Sequence, residues 1–423
     1  MAREMKDSGV EWIGEIPREW EVGKVKNCFV RKNEKAKQEN PIILSLARSG
    51  VKIRDISTGE GQIAESYFNY NPVEKGDLLI NPMDLYSGAN CSVSKVCGVI
   101  SPAYINLKSI NGNNSTYYDY YFKTQYWSMV FFAHGKGVSF DNRWTLNTET
   151  LFNYFIPIPP LEEQEKIANY LDKKVSDIDL IIEKTKATIE DYKKYKHSII
   201  TEAVTKGINP NVEMKDSGIE WIGEIPREWE VKKLSEYFFQ VKNKNSNLEE
   251  KNLLSLSYGK IIRKDINKTD GLLPENFSNY NIIDKGDIVL RLTDLQNDHK
   301  SLRVGLCNEK GIITSAYITL RIRKPQPTSY FYNYIHTYDI HKGFYGMGDG
   351  VRQSLTYDGL KSFKIILPSL EEQNQIVEYI DKKISEIDTL ITKKEVLIVE
   401  LEEYKKSLIY ECVTGKKEVN ENV

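Results

Sequence analysis

The 423-residue sequence has few of the features that mark membrane proteins, secreted proteins and the common enzyme classes. It contains no run of eighteen apolar residues, and "MAREMKDSG" at its start has no apolar signal core, so we expect a cytoplasmic protein. The five cysteines form no C-x-x-C pair and lie at no zinc spacing, which predicts free, buried thiols. Phosphate-loop, H-E-x-x-H and G-x-S-x-G motifs do not occur, and the five histidines indicate neither a catalytic triad nor a metal cluster. The sequence therefore predicts no catalytic residue and no metal ligand.

The balance of charge is close to neutral, which taken alone argues against binding to nucleic acid. The formal net charge is -2. The charges are segregated, however, because residues 23–160 carry 15 Lys and Arg against 11 Asp and Glu, and residues 232–369 carry 21 against 14. The excess acid lies elsewhere, and residues 370–423, for example, carry 8 basic and 13 acidic side chains.

An internal repeat is the dominant feature of the sequence. "EMKDSGVEWIGEIPREWEV" begins at Glu4 and returns at Glu213, 209 residues later, with one valine changed to isoleucine. "LEEQEKIANYLDKKVSDID" at Leu161 matches "LEEQNQIVEYIDKKISEID" at Leu370 at the same offset. Each copy therefore consists of a near-identical connector, a divergent block and a helical segment. We name the divergent segments block 1 (residues 23–160) and block 2 (residues 232–369).

Both blocks are predicted to be mixed structures rich in strands. "KGDLLI" after Glu74 and "KGDIVL" after Asp284 place a Gly-Asp turn before an apolar run without helical period, and "AYINL" and "AYITL" alternate as half-buried strands do. The tyrosine-rich "TYYDYYFKTQYWSMVFF" is predicted to be a helix, with most of its rings in the core.

The two helical segments are each predicted to form one long helix with a narrow apolar seam. Ser369 followed by Glu372 indicates a capping box, and Gly207 and Gly415 indicate the helix ends. Apolar residues recur at steps of three and four, as in a coiled coil, with Lys196, Lys394 and Lys405 on the same ladder. The predicted seam residues are Leu171, Val175, Ile178, Ile182, Ile189, Ile199, Ile380, Ile384, Ile387, Ile391, Ile398 and Leu408.

One helix with a single apolar seam cannot bury that seam alone, so each helix should pair with the other. Two similar units in one chain tend to meet as subunits of a symmetric dimer do, which predicts an antiparallel pair. The repeated connector would then enter each block, and its tryptophans, Trp12 and Trp20 with Trp221 and Trp229, would pin it against its neighbours. The fold class is therefore α+β: two strand-rich mixed blocks and two long helices in an antiparallel coiled coil.

Basic side chains in the predicted loops of the blocks are candidates for binding DNA. Arginine reads guanine or grips phosphate, and basic loops supply salt-dependent affinity. Positions kept in both copies suit backbone contact, whereas positions that differ, such as Arg48 against Tyr258, suit the reading of two different base sequences. The candidate DNA-binding residues are Arg48, Lys52, Arg54, Asn81, Lys136, Arg143 and Trp144 in the first copy, and Tyr258, Lys260, Arg263, Lys264, Arg291, Arg352 and Gln353 in the second.

The doubled "DSGxEWIGEIPREW" and the helix starts "PPLEEQEKIANYLDKK" and "LPSLEEQNQIVEYIDKK" resemble the specificity subunits of type I restriction-modification systems over essentially the whole length. The resemblance implies a non-catalytic subunit in which each target recognition domain reads one half of a bipartite duplex DNA sequence. It also implies that the paired helices set the spacer and dock methyltransferase subunits, two of which we expect. The implied boundaries are recognition domain 1 over 1–160, helix 1 over 161–208, recognition domain 2 over 209–369, helix 2 over 370–415 and a tail over 416–423.

The resemblance assigns the cofactors to partners. The methyltransferase subunits would use S-adenosylmethionine, and a motor and endonuclease subunit would use ATP and Mg²⁺, so no cofactor is expected in this chain. The alternative from another class is a coiled-coil adaptor whose two blocks bind proteins, which the weak net charge favours. A self-sufficient methylating nuclease ranks last, because the repeat leaves no room for a cofactor fold.

Overall fold

The structure is a computed structural model that describes residues 3–57, 64–86, 90–137, 144–266, 276–295, 302–347 and 354–419. The chain divides into two compact units. Unit 1 comprises Met1–Thr185 and Glu395–Val423, and unit 2 comprises Lys186–Lys394. Each long helix therefore contributes one part to each unit.

Unit 1 contains block 1 with its connector. Its strands are β1 Met5–Asp7, β2 Glu15–Pro17, β3 Glu21–Lys24, β4 Phe29–Arg31, β5 Leu44–Ala47, β6 Gly50–Ile53, β7 Asn71–Val73, β8 Leu78–Ile80, β9 Cys91–Val93, β10 Gly98–Ile100, β11 Ile105–Ser109 and β12 Phe155–Ile158. Its helices are α1 Val25–Cys28, α2 Ser115–Trp127, α3 Val130–Ala133 and α4 Thr148–Asn153, followed by α5 Leu161–Lys206, which continues into unit 2.

Unit 2 repeats this order with block 2 and its connector. Its strands are β13 Met214–Asp216, β14 Glu224–Pro226, β15 Glu230–Lys233, β16 Phe238–Gln240, β17 Leu254–Ser257, β18 Lys260–Arg263, β19 Asn281–Ile283, β20 Ile288–Leu290, β21 Val304–Leu306, β22 Gly311–Ile313, β23 Ile318–Ile322 and β24 Lys364–Leu367. Its helices are α6 Leu234–Tyr237, α7 Thr328–Ile340, a 3₁₀ turn over Gly343–Gly346 and α8 Tyr357–Leu360, and α9 Leu370–Val413 runs on into unit 1.

The two blocks have the same sheet topology. Block 1 has a four-stranded antiparallel sheet in the order β4-β11-β8-β9, and block 2 has its equivalent in the order β16-β23-β20-β21. The apolar runs of β8 and β20 are buried at every residue, as the sequence predicts for strands without a solvent face. The hairpins β5-β6 and β17-β18 are also equivalent, so the sequence repeat is confirmed as a repeat of structure.

The Gly-Asp turn before each central strand holds a buried carboxylate. Gly76 has a φ of 91°, a left-handed conformation that glycine adopts without strain. The carboxylate of Asp77 is 2.9 Å from the Lys32 ammonium, whereas that of Asp287 is 2.7 Å from the Arg321 guanidinium. Lys32 directly follows β4, whereas Arg321 lies in β23, so each copy neutralises the equivalent buried charge with a residue from a different place in the sheet.

Most of the tyrosine-rich segment forms the helix α2, as predicted, but this helix ends at Trp127 and the remaining residues enter the separate short helix α3. Asn114 caps α2, because the Asn114 side chain accepts hydrogen bonds from the backbone N–H groups of Thr116 and Tyr117. Tyr117, Tyr118 and Tyr121 are fully buried in the core of unit 1. The thiols are free, also as predicted, but Cys97 is exposed while Cys28, Cys91, Cys307 and Cys412 are buried.

A buried glutamine fixes the start of each long helix. Gln164 donates to the carbonyl of Pro159 at 2.9 Å and accepts from the backbone N–H of Asn114 at 2.9 Å, which joins α5 to the cap of α2. Gln373 makes the equivalent bond to Pro368 at 3.0 Å. This glutamine is the reason for the "LEEQ" signature, because it satisfies backbone groups that the turn into the helix leaves unpaired.

The repeated connector packs a tryptophan against the first turn of each long helix. The indole N–H of Trp20 donates to the Glu163 carboxylate at 2.7 Å, and that of Trp229 donates to Glu372 at 2.8 Å. Both indoles are buried, which confirms the predicted packing role. Of the predicted capping box, the Ser369 hydroxyl accepts from the Glu372 N–H at 3.2 Å, but the Glu372 carboxylate turns to the indole.

The predicted seam residues line the contact between the two helices within each unit. Leu171, Ile178, Ile182, Ile189, Ile199, Ile380, Ile387 and Leu408 are buried, and Val175, Ile384, Ile391 and Ile398 are half-buried. The seam is one side of each helix, because intervening residues such as Asp179 and Asp388 are exposed.

The lysines on the seam ladder find partners on the opposite helix. Lys405 lies 2.6 Å from Asp179 in unit 1, and Lys196 lies 2.7 Å from Asp388 in unit 2. The Lys394 ammonium lies 6.0 Å from the centre of the Tyr192 ring. In unit 2, residue 192 thus faces residue 394 and residue 196 faces residue 388, so the helices run antiparallel.

The contacts at the helix ends in unit 1 also indicate that the two long helices run antiparallel. Trp20 bonds to Glu163 near the start of α5 and lies beside Gly415, just beyond the end of α9. The pair is therefore the antiparallel coiled coil that the heptads predict. No helix of the described residues is both long enough and apolar enough to cross a bilayer.

We predict that Trp229→Phe lowers the free energy of unfolding more than Trp20→Phe. Both changes remove an indole donor, but Glu163 retains an ion pair with Arg3, and the position equivalent to Arg3 in the second copy is the uncharged Val212. A carboxylate that loses its buried donor costs about 1–3 kcal/mol. Urea unfolding of both variants tests this, and equal losses would contradict it.

Candidate nucleic-acid interface

The first group of predicted residues lies on two equivalent hairpins. In β5-β6, Leu44 and Leu46 face the core while Lys52 is exposed, and Arg48 stands at the exposed tip. In β17-β18 the tip is Tyr258, at a φ of 46° and 74% exposed. The register therefore places Lys52 on the face opposite Leu44 and Leu46 in β5-β6. In β17-β18 it pairs Arg263 with Leu254, so Arg263 lies on the same face as Leu254 at the edge of the hairpin.

The remaining hairpin residues differ in how far they reach solvent. Lys260 and Lys264 are exposed. Arg54 is half-buried and lines a cavity of about 520 Å³ together with Tyr70 and Tyr104. The cavity wall brings the arginine against aromatic rings, and burial raises the pKa of the Tyr104 hydroxyl.

Arg263 is exposed but already forms an ion pair with a carboxylate of the same block. Its guanidinium N–H groups donate to the Glu309 carboxylate, with Nε 2.8 Å from Oε1. Hydrogen bonding by Arg263 holds the pKa of Glu309 below its usual range, so the glutamate stays ionised at neutral pH. Any phosphate that approaches Arg263 must compete with this carboxylate.

The second group lies in the loop that follows the central strand. The Asn81 side chain accepts from the backbone N–H of Met83 at 3.0 Å, and the Asn81 carbonyl accepts from the Tyr126 hydroxyl at 2.7 Å. Arg291 occupies the equivalent position of block 2, is half-buried, and pairs through its backbone with Arg303 at 2.9 Å.

Arg303 is fully buried and braces the loop of block 2 from inside. Its guanidinium donates to the carbonyls of Arg291, Thr293 and Asp294 at 3.2, 2.9 and 3.3 Å. Its backbone N–H donates to Asp339 at 2.5 Å. The carbonyl oxygens thus offset part of the cost of burying this cation.

The third group lies near the end of block 1. Lys136 is exposed and pairs with Thr145 in a short antiparallel bridge. Trp144 is half-buried, and its indole N–H donates to the carbonyl of Phe132 at 2.8 Å, so this donor is directed into the protein. A Cβ at Gly135 would stand 2.6 Å from the Trp144 indole nitrogen, which explains why the smallest residue occupies that position.

Three predicted residues, Arg143, Arg352 and Gln353, lie outside the described residues. The structure brings Arg48 close to side chains that the sequence analysis did not select, including Tyr86, Lys123 and Trp127. Trp127 belongs to the tyrosine-rich segment, whose rings were assigned to the core as a group. Its exposure was the missing signal, because helix position alone does not say which ring of a uniformly aromatic helix faces solvent.

A buried histidine lies behind the tip of the second hairpin. His336 is 9% exposed and stacks on Tyr332 with ring centres 5.3 Å apart. Burial, and secondarily the charge of His197, lowers the pKa of His336 to about 4. A Cβ at Gly259 in the hairpin tip would lie 3.4 Å from the His336 ring, so the tip packs directly on it.

We predict that His336 makes the protein less stable as the pH falls from 6.5 to 4. The unfolded chain binds a proton near the ordinary histidine pKa of 6.5, whereas the folded protein does so near 4. The stabilising contribution is therefore complete above pH 6.5 and declines below it, by about 3 kcal/mol in total. Urea unfolding of the wild type and of His336→Phe across this range tests the prediction, and parallel pH curves would contradict it.

Comparisons with known proteins agree on one family. A family model described as the type I restriction modification DNA specificity domain matches the chain twice, over residues 17–191 and 226–398. A putative type I restriction enzyme specificity subunit, MjaX of Methanocaldococcus jannaschii, is 28% identical over 428 residues, which cover 96% of this chain and 95% of that protein.

Two solved structures share the fold. A chain from a type I R-M system, solved to explain complex assembly and conformational transition, has a TM-score of 0.68 at 14% identity and covers 95% of this chain and 99% of its own length. The HsdS subunit from Thermoanaerobacter tengcongensis has a TM-score of 0.54 at 14% identity, over 95% of this chain and 98% of its own.

Proposed function

The chain belongs to the family of the type I restriction modification DNA specificity domain, of which it carries two copies, and from this premise we propose that it reads a bipartite DNA sequence as a non-catalytic subunit of a type I restriction-modification complex. Block 1 reads one half of the site and block 2 reads the other. The observation that carries the proposal is one fold built twice with different side chains at equivalent exposed positions. Two unlike half-sites require that combination.

The paired helices set the distance between the half-sites. α5 has 46 residues and α9 has 44, and both extend from one unit into the other. A helix rises about 1.5 Å per residue, so its length converts residues into a fixed distance along DNA. The seam supports this role, because burial along both units makes the pair stiffer than a single helix.

The chemistry of the complex belongs to its partners. Methyltransferase subunits with S-adenosylmethionine, two per chain, dock on the helices, and a motor and endonuclease subunit supplies ATP- and Mg²⁺-dependent steps. This chain contributes duplex binding and positioning, in the cytoplasm where the DNA lies. Its basic blocks provide the electrostatic part of that binding, which weakens with salt.

We predict that seven residues inserted into both helices lengthen the recognised spacer by about three base pairs. One heptad preserves the seam and adds about 10 Å, and base pairs of B-DNA are about 3.4 Å apart. The insertions follow Ser176 in α5 and Ser407 in α9, which lie at a similar level of the antiparallel pair, near the ion pair of Asp179 and Lys405. Methylation-site sequencing with the partner subunits provides the measurement.

The matched control for this design is the α5 insertion alone, which leaves the two helices unequal and should abolish modification. A changed half-site or an unchanged spacer in the double insertion would contradict the proposal that the paired helices set the distance between the half-sites. Failure of the wild-type chain to bind any duplex at low salt would instead favour the protein-binding adaptor.

We predict that Glu309→Gln tightens binding of DNA several-fold at low salt. The change removes a negative charge and releases the Arg263 guanidinium, which adds about one phosphate contact and steepens the salt dependence by about one unit. Glu249→Gln is the matched control, since it removes the same charge from an exposed residue of block 2 that bonds the Asn247 amide. Equal effects of the two variants would show that Arg263 makes no contact.

A further inference from the structure

We propose that the tip of the first hairpin and the end of α2 together form the base-reading pocket of block 1, with Arg48, Lys123, Tyr86 and Trp127 as its specificity residues. This inference rests on the proposed function and names the site within block 1 that carries it. The occupant is a base pair of the first half-site, with a base edge or a thymine methyl group against the aromatic rings.

Three separate segments converge on this pocket. Arg48 comes from the hairpin tip, Tyr86 from the loop after β8, and Lys123 and Trp127 from the last turns of α2. They enclose a cavity of about 290 Å³ that opens to solvent. The Asn90 amide donates to the Ala47 carbonyl at 2.6 Å, which ties the loop to the hairpin and holds the pocket in shape.

The lining combines exposed aromatic rings with cations. Tyr86 is 62% exposed and Trp127 is 42% exposed. Exposed rings that line one cavity together form a contiguous apolar patch, which marks a binding site more often than a single exposed ring does. Apolar rings can contact a thymine methyl group in the major groove, and arginine or lysine beside them neutralises phosphate or reads a base edge. Duplex DNA offers both this apolar group and a negative charge.

Lys123 is placed for this role by its own helix. Its ammonium lies 2.8 Å from the Asp119 carboxylate one turn earlier, and burial raises the pKa of that carboxyl. The side chain of Lys123 is 28% exposed, so the ammonium is held at the pocket wall while still reaching solvent. The ion pair orients the lysine before DNA arrives, which lowers the entropy lost on binding.

The second copy places different residues at several of the equivalent positions, although Leu85 of the pocket lining and its equivalent Leu295 are the same. Aligning β9 with β21 and α2 with α7 pairs Asn90 with Arg303, Lys123 with His336 and Trp127 with Ile340, and the hairpins pair Arg48 with Tyr258. The buried turns and sheet strands around these positions are alike in both copies. Different side chains at these pocket positions, on a shared sheet topology, are what two different half-sites demand.

The loop beside the pocket is braced in both copies by different means. The carbonyl of residue 81 accepts from the Tyr126 hydroxyl, whereas the carbonyl of residue 291 accepts from the Arg303 guanidinium. Tyr126 and Asp339 are equivalent on the two helices, and Asp339 holds the backbone of Arg303. The first residue of this loop is therefore hydrogen-bonded in both copies, although the donor side chain differs.

The test is methylation-site sequencing of the assembled complex carrying Arg48→Ala or Trp127→Ala. Each variant should relax base preference about tenfold or more at one or two positions of the first half-site and leave the second half-site and the spacer intact. Trp127→Phe keeps a ring and should restore most of the preference. Lys95→Ala, an exposed cation outside the pocket in the same block, is the matched control and should leave the consensus unchanged.

Outcomes separate this inference from the proposed function. An unchanged first half-site in both alanine variants, or a change in the second half-site, overturns the pocket while a methylated bipartite site still upholds the function. The reciprocal variant Tyr258→Arg should alter the second half-site only, and an effect on the first half-site would also overturn the assignment. If the wild-type complex binds no DNA, both the pocket assignment and the proposed function are overturned.

Discussion

The structure depends on the burial of one narrow apolar seam per long helix. An isolated helix with such a seam exposes it to water, and propensity alone does not hold 46 residues in one helix. In each unit the seam is closed by part of the other long helix, which makes the two helices mutually necessary. Lysines on the ladder are tolerated because carboxylates and a ring on the facing helix receive them.

The joints between blocks and helices follow from the same constraint. A long stiff helix transmits position only if its first turn is fixed to the domain that it carries. Gln164 and Gln373 do so through carbonyls of the preceding turn, and Trp20 and Trp229 do so through carboxylates in the first helical turn. The nearly invariant connector is therefore a mechanical joint, and it is repeated because there are two joints.

The blocks show the opposite pattern, in which the framework is retained and the exposed positions diverge. Even some buried interactions are satisfied differently, as when Lys32 neutralises Asp77 and Arg321 neutralises Asp287. Burial requires that the charge be paired, but it does not specify the residue that pairs it. A framework that tolerates such exchanges can carry two different surfaces at its hairpin tips, and this supports separate reading of two half-sites.

The sequence by itself determined the repeat, the two long helices with their seams, the connector tryptophans and the strand-rich character of the blocks, because each of these is a local period or a direct comparison of the two copies. Only the tertiary structure decided which side chains meet. Arg48 and Trp127 are far apart in the chain, and the exposure of Trp127 cannot be read from a helix whose other rings are buried. The pairing of Arg263 with Glu309, the inward turn of the Trp144 indole and the burial of Arg303 also depend on contacts between segments, which periodicity does not encode.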